Sequence, residues 1–159
     1  YLKPQEVQAT PEALKAISEA QVIILGPGSL YTSIIPNLLI KNITEVIAAS
    51  RAIKIYICNV MTQPGETDGY TAYDHLKAII DHTSSKIVDY CVVNTADISR
   101  EMADKYKQDN SFPVYAAISK IRHEGYRVID DDIINAVDYV RHDSHKLARI
   151  IMSLIQDNR

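Results

Sequence analysis

The sequence has no apolar run long enough to cross a bilayer. Its longest runs, Val22 to Leu25 and Ile34 to Ile40 with Pro36 and Asn37 inside, fall far short of the ~20 residues a spanning helix needs. The opening Tyr1-Leu2-Lys3-Pro4 lacks the basic segment and long apolar stretch of a secretion signal. It also lacks an initiator Met, so a piece of a longer protein is expected. Cysteine is scarce: Cys58 and Cys91 are too far apart for a zinc or redox motif. Each lies in a strand-like apolar run, which points to buried, reduced thiols and fits a cytoplasmic protein. No basic stripe is present, because 17 Lys and Arg are interleaved with 20 Asp and Glu for a net charge of −3. Nucleic acid is therefore not an expected partner. There is no internal repeat and no low-complexity segment.

With 47% hydrophobic and 23% charged residues in 159, the chain can bury a sizeable core as one compact unit. Four β-branched runs, Val22–Gly26, Lys54–Val60, Ile87–Asn94 and Val114–Ile118, are apolar enough to be strands buried on both faces. Helical spacing fills the gaps at Asn42–Ser50, Thr71–His82 and Ile98–Lys107. Alternation of this kind predicts an α/β, Rossmann-like fold with a mostly parallel sheet and helices on both faces. Ahead of the first strand, Thr10 and Pro11 read as an N-cap and first helical residue. Thr71 and Asp74 form a near capping box with Asp in place of Glu. A further strand is predicted at Tyr126–Ile129, and a last helix with Ser144 as its cap carries Leu147, Ile150, Ile151, Leu154 and Ile155 on one stripe.

In an open parallel sheet, ligands bind beyond the carboxyl ends of the strands. The first such loop, Gly26-Pro27-Gly28-Ser29-Leu30-Tyr31-Thr32-Ser33, combines glycines, hydroxyls and a helix start, so it can seat an anion. It lacks the Lys of a Walker loop, and Tyr31 stands where a dinucleotide fingerprint needs a third glycine. On spacing alone a plain tight turn stays open, with Ser33 as a cap. The second loop runs from Asn59 to Tyr70. Its Gln63, Glu66 and Thr67 suit sugar or ribose hydroxyls, or a magnesium held mainly by substrate phosphates; a solvated turn is the alternative. His75, in the next helix's first turn, either meets a phosphate or packs against the helix. Thr95 or Asp97 can cap the helix after the third strand. Arg141 can grip phosphate, or pair with Asp143 on the surface. Asp130, Asp131 and Asp132 read as a solvated face rather than a metal site.

Two phrases carry a resemblance. Ile23 to Leu38, around Gly26-Pro27-Gly28-Ser29, and Cys58-Asn59-Val60-Met61-Thr62-Gln63-Pro64-Gly65-Glu66-Thr67 closely resemble the YvcK branch of the CofD-like family. Asp74-His75 and Arg141-His142-Asp143 extend the likeness over most of the chain. Members of that branch are also called gluconeogenesis factors. The resemblance implies a bacterial cytoplasmic protein linked to cell shape and envelope precursor supply, binding UDP-sugars such as UDP-N-acetylglucosamine. Related CofD enzymes transfer a phospholactyl group to a deazaflavin precursor, which is the alternative activity. Family proteins are about twice this length, so the resemblance makes residues 1–159 the C-terminal portion of a single CofD-like domain, incomplete at its N-terminus. By the same resemblance the ligand residues are Gly26, Gly28, Ser29 and Arg141, with Thr32, Asn59, Gln63, Glu66 and His75 along the same cleft. Magnesium would arrive with the nucleotide, no protein-bound metal is expected, and a protein partner in envelope precursor synthesis and a homo-oligomer are left open.

Overall fold

Thr10 starts the first helix as its sequence dictates: its hydroxyl accepts from the Ala13 amide at 3.3 Å, and Pro11 opens α1 (Pro11–Glu19). The structure, a computed structural model, describes Lys3 and residues 7–158. After α1 come β1 (Val22–Leu25), a π-helical turn (Leu30–Ile34) running into α2 (Ile35–Leu38), α3 (Ile43–Ala49) and β2 (Ile53–Ile57). Then follow α4 (Ala72–His82), a short 3-10 turn, β3 (Tyr90–Asn94), α5 (Arg100–Lys107), α6 (Ile118–His123) and β4 (Arg127–Asp131). A two-stranded antiparallel ribbon, β5 (Ile134–Asn135) with β6 (Arg141–His142), leads into α7 (Ser144–Asp157).

The sheet is parallel throughout, in the order β1-β2-β3-β4. Alternation along each strand divides the core. Tyr56, Cys58, Cys91 and Val93 face the layer that supplies Leu30, Ile34, Ile47, Leu76, Ile79 and Ile121. Ile55, Ile57, Tyr90 and Val92 face Leu147, Ile150 and Leu154 of α7, with Met102 and Tyr106 of α5 beside them. Helices thus cover both faces, as the near-continuous apolar strands require. Both cysteines are buried and free; burial pushes the Cys58 thiol up to about 12 and raises Cys91 as well. No helix among the described residues is long and apolar enough to cross a membrane.

Three local expectations are corrected. Val114–Ile118 is not a strand. Its first three residues continue an extended segment over the carboxyl ends, where Met61 bridges Pro113 and the Val114 amide reaches the Val60 carbonyl at 3.0 Å, and Ile118 opens α6. Its apolar residues pack onto the core from there, and Arg127–Asp131 takes the fourth place in the sheet. The cap of α7 is Asp143, not Ser144, because one carboxylate oxygen accepts from both the His145 and Lys146 amides at 2.9 and 3.1 Å. The cap of α5 is Ser99 rather than Thr95 or Asp97. The box at α4 forms as expected: Asp74 accepts from the Thr71 amide at 2.9 Å and Thr71 accepts from the Asp74 amide at 3.3 Å. The three aspartates diverge, Asp130 to Arg122 at 2.8 Å and Asp132 to Lys146 at 2.7 Å, while Asp131 accepts its neighbour's amide. The described residues contain no cluster of carboxylates, thiols and imidazoles able to hold a metal.

Candidate functional site

β1 ends in a turn that only glycine can make. Gly26 has φ +87°, and a Cβ there would lie 2.9 Å from the Ile57 carbonyl oxygen on the neighbouring strand. Gly28 has room for a Cβ at 3.4 Å from that of Ser33, so its bareness uncovers backbone rather than relieving a clash. Ser29 then caps the π-helical turn, its Oγ accepting from the Thr32 amide at 3.3 Å. The Ser33 and Ile34 amides both donate to the Ser29 carbonyl at 3.0 Å. Earlier in the turn, the Gly28, Ser29, Leu30 and Tyr31 amides donate to no protein acceptor among the described residues. Of these residues, Gly28 and Ser29 line a groove and Leu30 is fully buried, so only the first two can offer amides to an anion there.

The loop after β2 comes to the same place. Gln63 and Thr67 close it on themselves, the Gln63 amide donating to Thr67 Oγ1 at 2.9 Å and the Thr67 amide to the Gln63 carbonyl at 2.9 Å. Thr67 is buried and its hydroxyl serves the loop rather than a ligand. The turn presents Glu66 to the first loop, where Ser29 Oγ donates to Glu66 Oε2 at 2.7 Å and also contacts the Thr32 hydroxyl. Gln63 Oε1 is buried without a partner. Gly28, Ser29, Asn59 and Gln63 line one groove of about 340 Å³ with Met61 and His142. Thr32 and Glu66 join it through Ser29.

Arg141 lies in the adjoining groove of about 480 Å³, which also includes His142. Its guanidinium stands 5.5 Å from the Tyr139 ring centre, and Lys105 Nζ lies 4.0 Å from the same ring. Among the described residues Arg141 makes no ion pair with Asp143, whose carboxylate caps α7 instead. Hydrogen bonds from the Lys146 and His145 amides hold the Asp143 carboxyl below the usual carboxylate range.

His75 is not at the groove. Its ring is 0% exposed, Nδ1 lies 2.9 Å from the Thr71 carbonyl, Nε2 has no partner, and Tyr70 packs edge-on at 5.5 Å. Desolvation pulls its pKa below the ordinary histidine value. The packing role holds because His75 shares the inward stripe of Ala72, Leu76 and Ile79. His142, which sequence reasoning did not single out, sits between the grooves with Nε2 3.0 Å from the Cys58 carbonyl. Burial lowers its pKa too. Tyr106 is a second addition: its hydroxyl ties Val140 through both amide and carbonyl, at 3.0 and 3.3 Å, and so fixes the groove's outer wall.

Fold and site together define a Rossmann-like α/β protein with a groove at the carboxyl ends of a parallel sheet. The chain belongs to the CofD family: the model described as 2-phospho-L-lactate transferase CofD matches residues 1–134. It is similar to the gluconeogenesis factor of Bacillus subtilis, 44% identical over 158 residues that cover 99% of this chain and 50% of that protein. A putative gluconeogenesis factor of Thermoanaerobacterium thermosulfurigenes is 47% identical over 157 residues, covering 98% of this chain and 48% of the relative. A crystal structure of a UPF0052 family member from Bacillus halodurans superposes with a TM-score of 0.93 at 45% identity, covering 96% of this chain and 49% of that one. The chain spans about half the length of the curated relatives it matches.

Proposed function

We propose that this chain forms one wall of a nucleotide-sugar site in a non-catalytic, cytoplasmic regulator of the gluconeogenesis-factor kind. UDP-N-acetylglucosamine is the ligand of choice, and the regulator acts on envelope precursor supply and cell shape through a protein partner. The observation that carries the reading is the turn after β1, where Gly28 and Ser29 line the groove and their amides donate to no protein acceptor among the described residues. Phosphate oxygens suit such donors. Asn59 and Gln63 add amide groups on one side, and the Arg141 guanidinium lies beyond His142 on the other. Glu66 is the single carboxylate hydrogen-bonded to the loop, placed to hold a magnesium that arrives on the phosphates.

The transferase alternative asks His75 or Glu66 to move a proton. His75 is enclosed and Glu66 is engaged by Ser29, so binding is favoured over catalysis. Calorimetric titration of the full-length protein with UDP-N-acetylglucosamine tests the proposal. Heat of binding is expected in the parent and is reduced about tenfold or more in affinity by Arg141→Ala, which removes a charge-assisted contact. No heat in the parent sinks the reading.

A further inference from the structure

A second groove, of about 650 Å³, lies beyond the carboxyl end of β3 and meets the first at Val60, which lines both. Nothing in the glycine loop's chemistry explains it. Its wall is the extended segment that crosses the carboxyl ends, and that segment is pinned along its length. The Thr62 amide donates to the Phe112 carbonyl at 2.8 Å, the Val114 amide to the Val60 carbonyl at 3.0 Å, and the Ala72 amide to the Tyr115 carbonyl at 2.8 Å. Tyr115, on this fixed backbone, is nevertheless 73% exposed. Just past it, Ala117 is held at φ +49°, a left-handed conformation that a residue with a Cβ seldom adopts. Backbone strain of this kind persists where the surroundings over-determine it, and it gathers at binding sites.

The polar groups of this groove carry no positive charge among the described residues. Asp97 is the only charged side chain in its lining, and Thr95 and Ser119 bring hydroxyls. Lys120, next in sequence, directs its ammonium to the Tyr73 ring at 3.9 Å. Asn94 is occupied in shaping the turn, accepting from the Ala96 and Ile133 amides and donating to the Ala96 carbonyl. An ionised carboxylate accepts hydrogen bonds and repels phosphate, so the groove suits a neutral, donor-rich group. Val60, Ile98 and Ala116 add apolar surface, and the open ring of Tyr115 offers a flat apolar face at small entropic cost. A pyranose has that composition: several hydroxyl donors around the rim and an apolar C–H face. A uracil ring offers one N–H and two carbonyl oxygens that Asp97 would repel.

We propose that the groove beside Tyr115 seats the sugar ring of the ligand, with Tyr115 stacking on its apolar face and Asp97 accepting from its hydroxyls. The phosphates then lie across Val60 at the glycine loop. This assignment rests on the nucleotide-sugar reading for the connection between the grooves, while its sugar chemistry stands on the second groove alone.

Two measurements on the full-length protein test it. In calorimetric titrations, Tyr115→Ala and Asp97→Asn are expected to weaken UDP-N-acetylglucosamine binding about tenfold while leaving UDP unchanged. An equal loss for UDP and the UDP-sugar would place the base in this groove and overturn the proposal, as would no loss for either. Both side chains are exposed, so each variant keeps the fold, which circular dichroism verifies. Should the parent bind neither UDP ligand, the nucleotide reading fails and saturation-transfer NMR with methyl N-acetylglucosaminide decides the groove. A signal lost in Tyr115→Ala then supports a sugar site, and no signal in the parent overturns it.

Discussion

The two ends of the sheet treat their polar groups in opposite ways. At the amino ends they are paired with one another. Lys54, only 7% exposed, brings Nζ to 3.7 Å from Asp89, which also accepts the Lys54 amide at 2.9 Å. Arg127 donates to the Tyr90 hydroxyl at 2.6 Å, and Asn158 at the end of α7 meets the same hydroxyl at 3.3 Å. At the carboxyl ends, the Gly28 and Ser29 amides and the Gln63 side-chain oxygen have no protein partner among the described residues, and Tyr115 stands open. Polar groups without protein partners at a surface are completed by water or a ligand. One end closes on itself; the other is left open.

Gly26 is where the comparison breaks most sharply, because the open end depends on its backbone. Gly26→Ala must hold a Cβ at positive φ and 2.9 Å from the Ile57 carbonyl, a combined loss of about 2–4 kcal/mol. Urea unfolding reads that loss as a lower midpoint, and ligand binding should fall with it. A variant as stable as the parent would show that the β1 turn relaxes freely. At the closed end, Asp89→Ala leaves the buried Lys54 ammonium with the Ala52 carbonyl, 3.3 Å away, as its partner. The Asp89 side chain is 43% exposed, so solvent screens the pair and the expected loss is about 1–2 kcal/mol. Ligand affinity should not change, which separates the two ends directly.

Glu66→Gln sharpens the contrast from the other side. The amide oxygen can still accept from Ser29 Oγ, so stability should stay within about 0.5 kcal/mol of the parent. Removing a negative charge beside the phosphate seat should raise UDP-sugar affinity about threefold in EDTA. If magnesium sits on Glu66, that gain reverses when the metal is added. Calorimetry with and without magnesium reads both outcomes.

How much of this was legible in the sequence follows from how far each decision reaches along the chain. Thr10-Pro11 and Thr71-Asp74 settle their helix starts within a few residues, and both starts fall where those residues put them. Gly26 announced a turn for the same reason. Val114–Ile118 has the apolar content of a strand, but its partners are Val60 in the loop after β2 and Ala72 at the start of α4, so composition could not say which of two strand-like segments enters the sheet. His75 was readable in part: spacing from Ala72 and to Ile79 puts it on the apolar stripe of α4. His142 was not, because its partner carbonyl on Cys58 lies 84 positions away.

The smallest expected effect is on pH dependence, and it concerns the layer beneath the open end. Burial depresses the pKa values of His75 and His142 below the ordinary 6.5, each against the pull of a backbone carbonyl. Well above pH 6.5 both rings are neutral whether the chain is folded or not, and they add no slope to stability. As pH falls through that value the unfolded chain takes up protons first. Stability therefore declines from about pH 6.5 down to the depressed folded values. Carboxylates do not confuse this window. Asp74, partly desolvated but held low by hydrogen bonds from Thr71, loses its contribution only as pH falls below the ordinary carboxylate value of 3.8. Thermal unfolding should accordingly be level above pH 7 and shift to lower temperature between pH 6.5 and 5. Replacing His142 by Gln keeps a side chain able to donate to the Cys58 carbonyl and removes one titrating group, so the decline should become shallower. A parent whose melting temperature rises over the same interval would mean that the imidazoles gain charge on folding, and that the layer under the groove is wetter than its packing indicates.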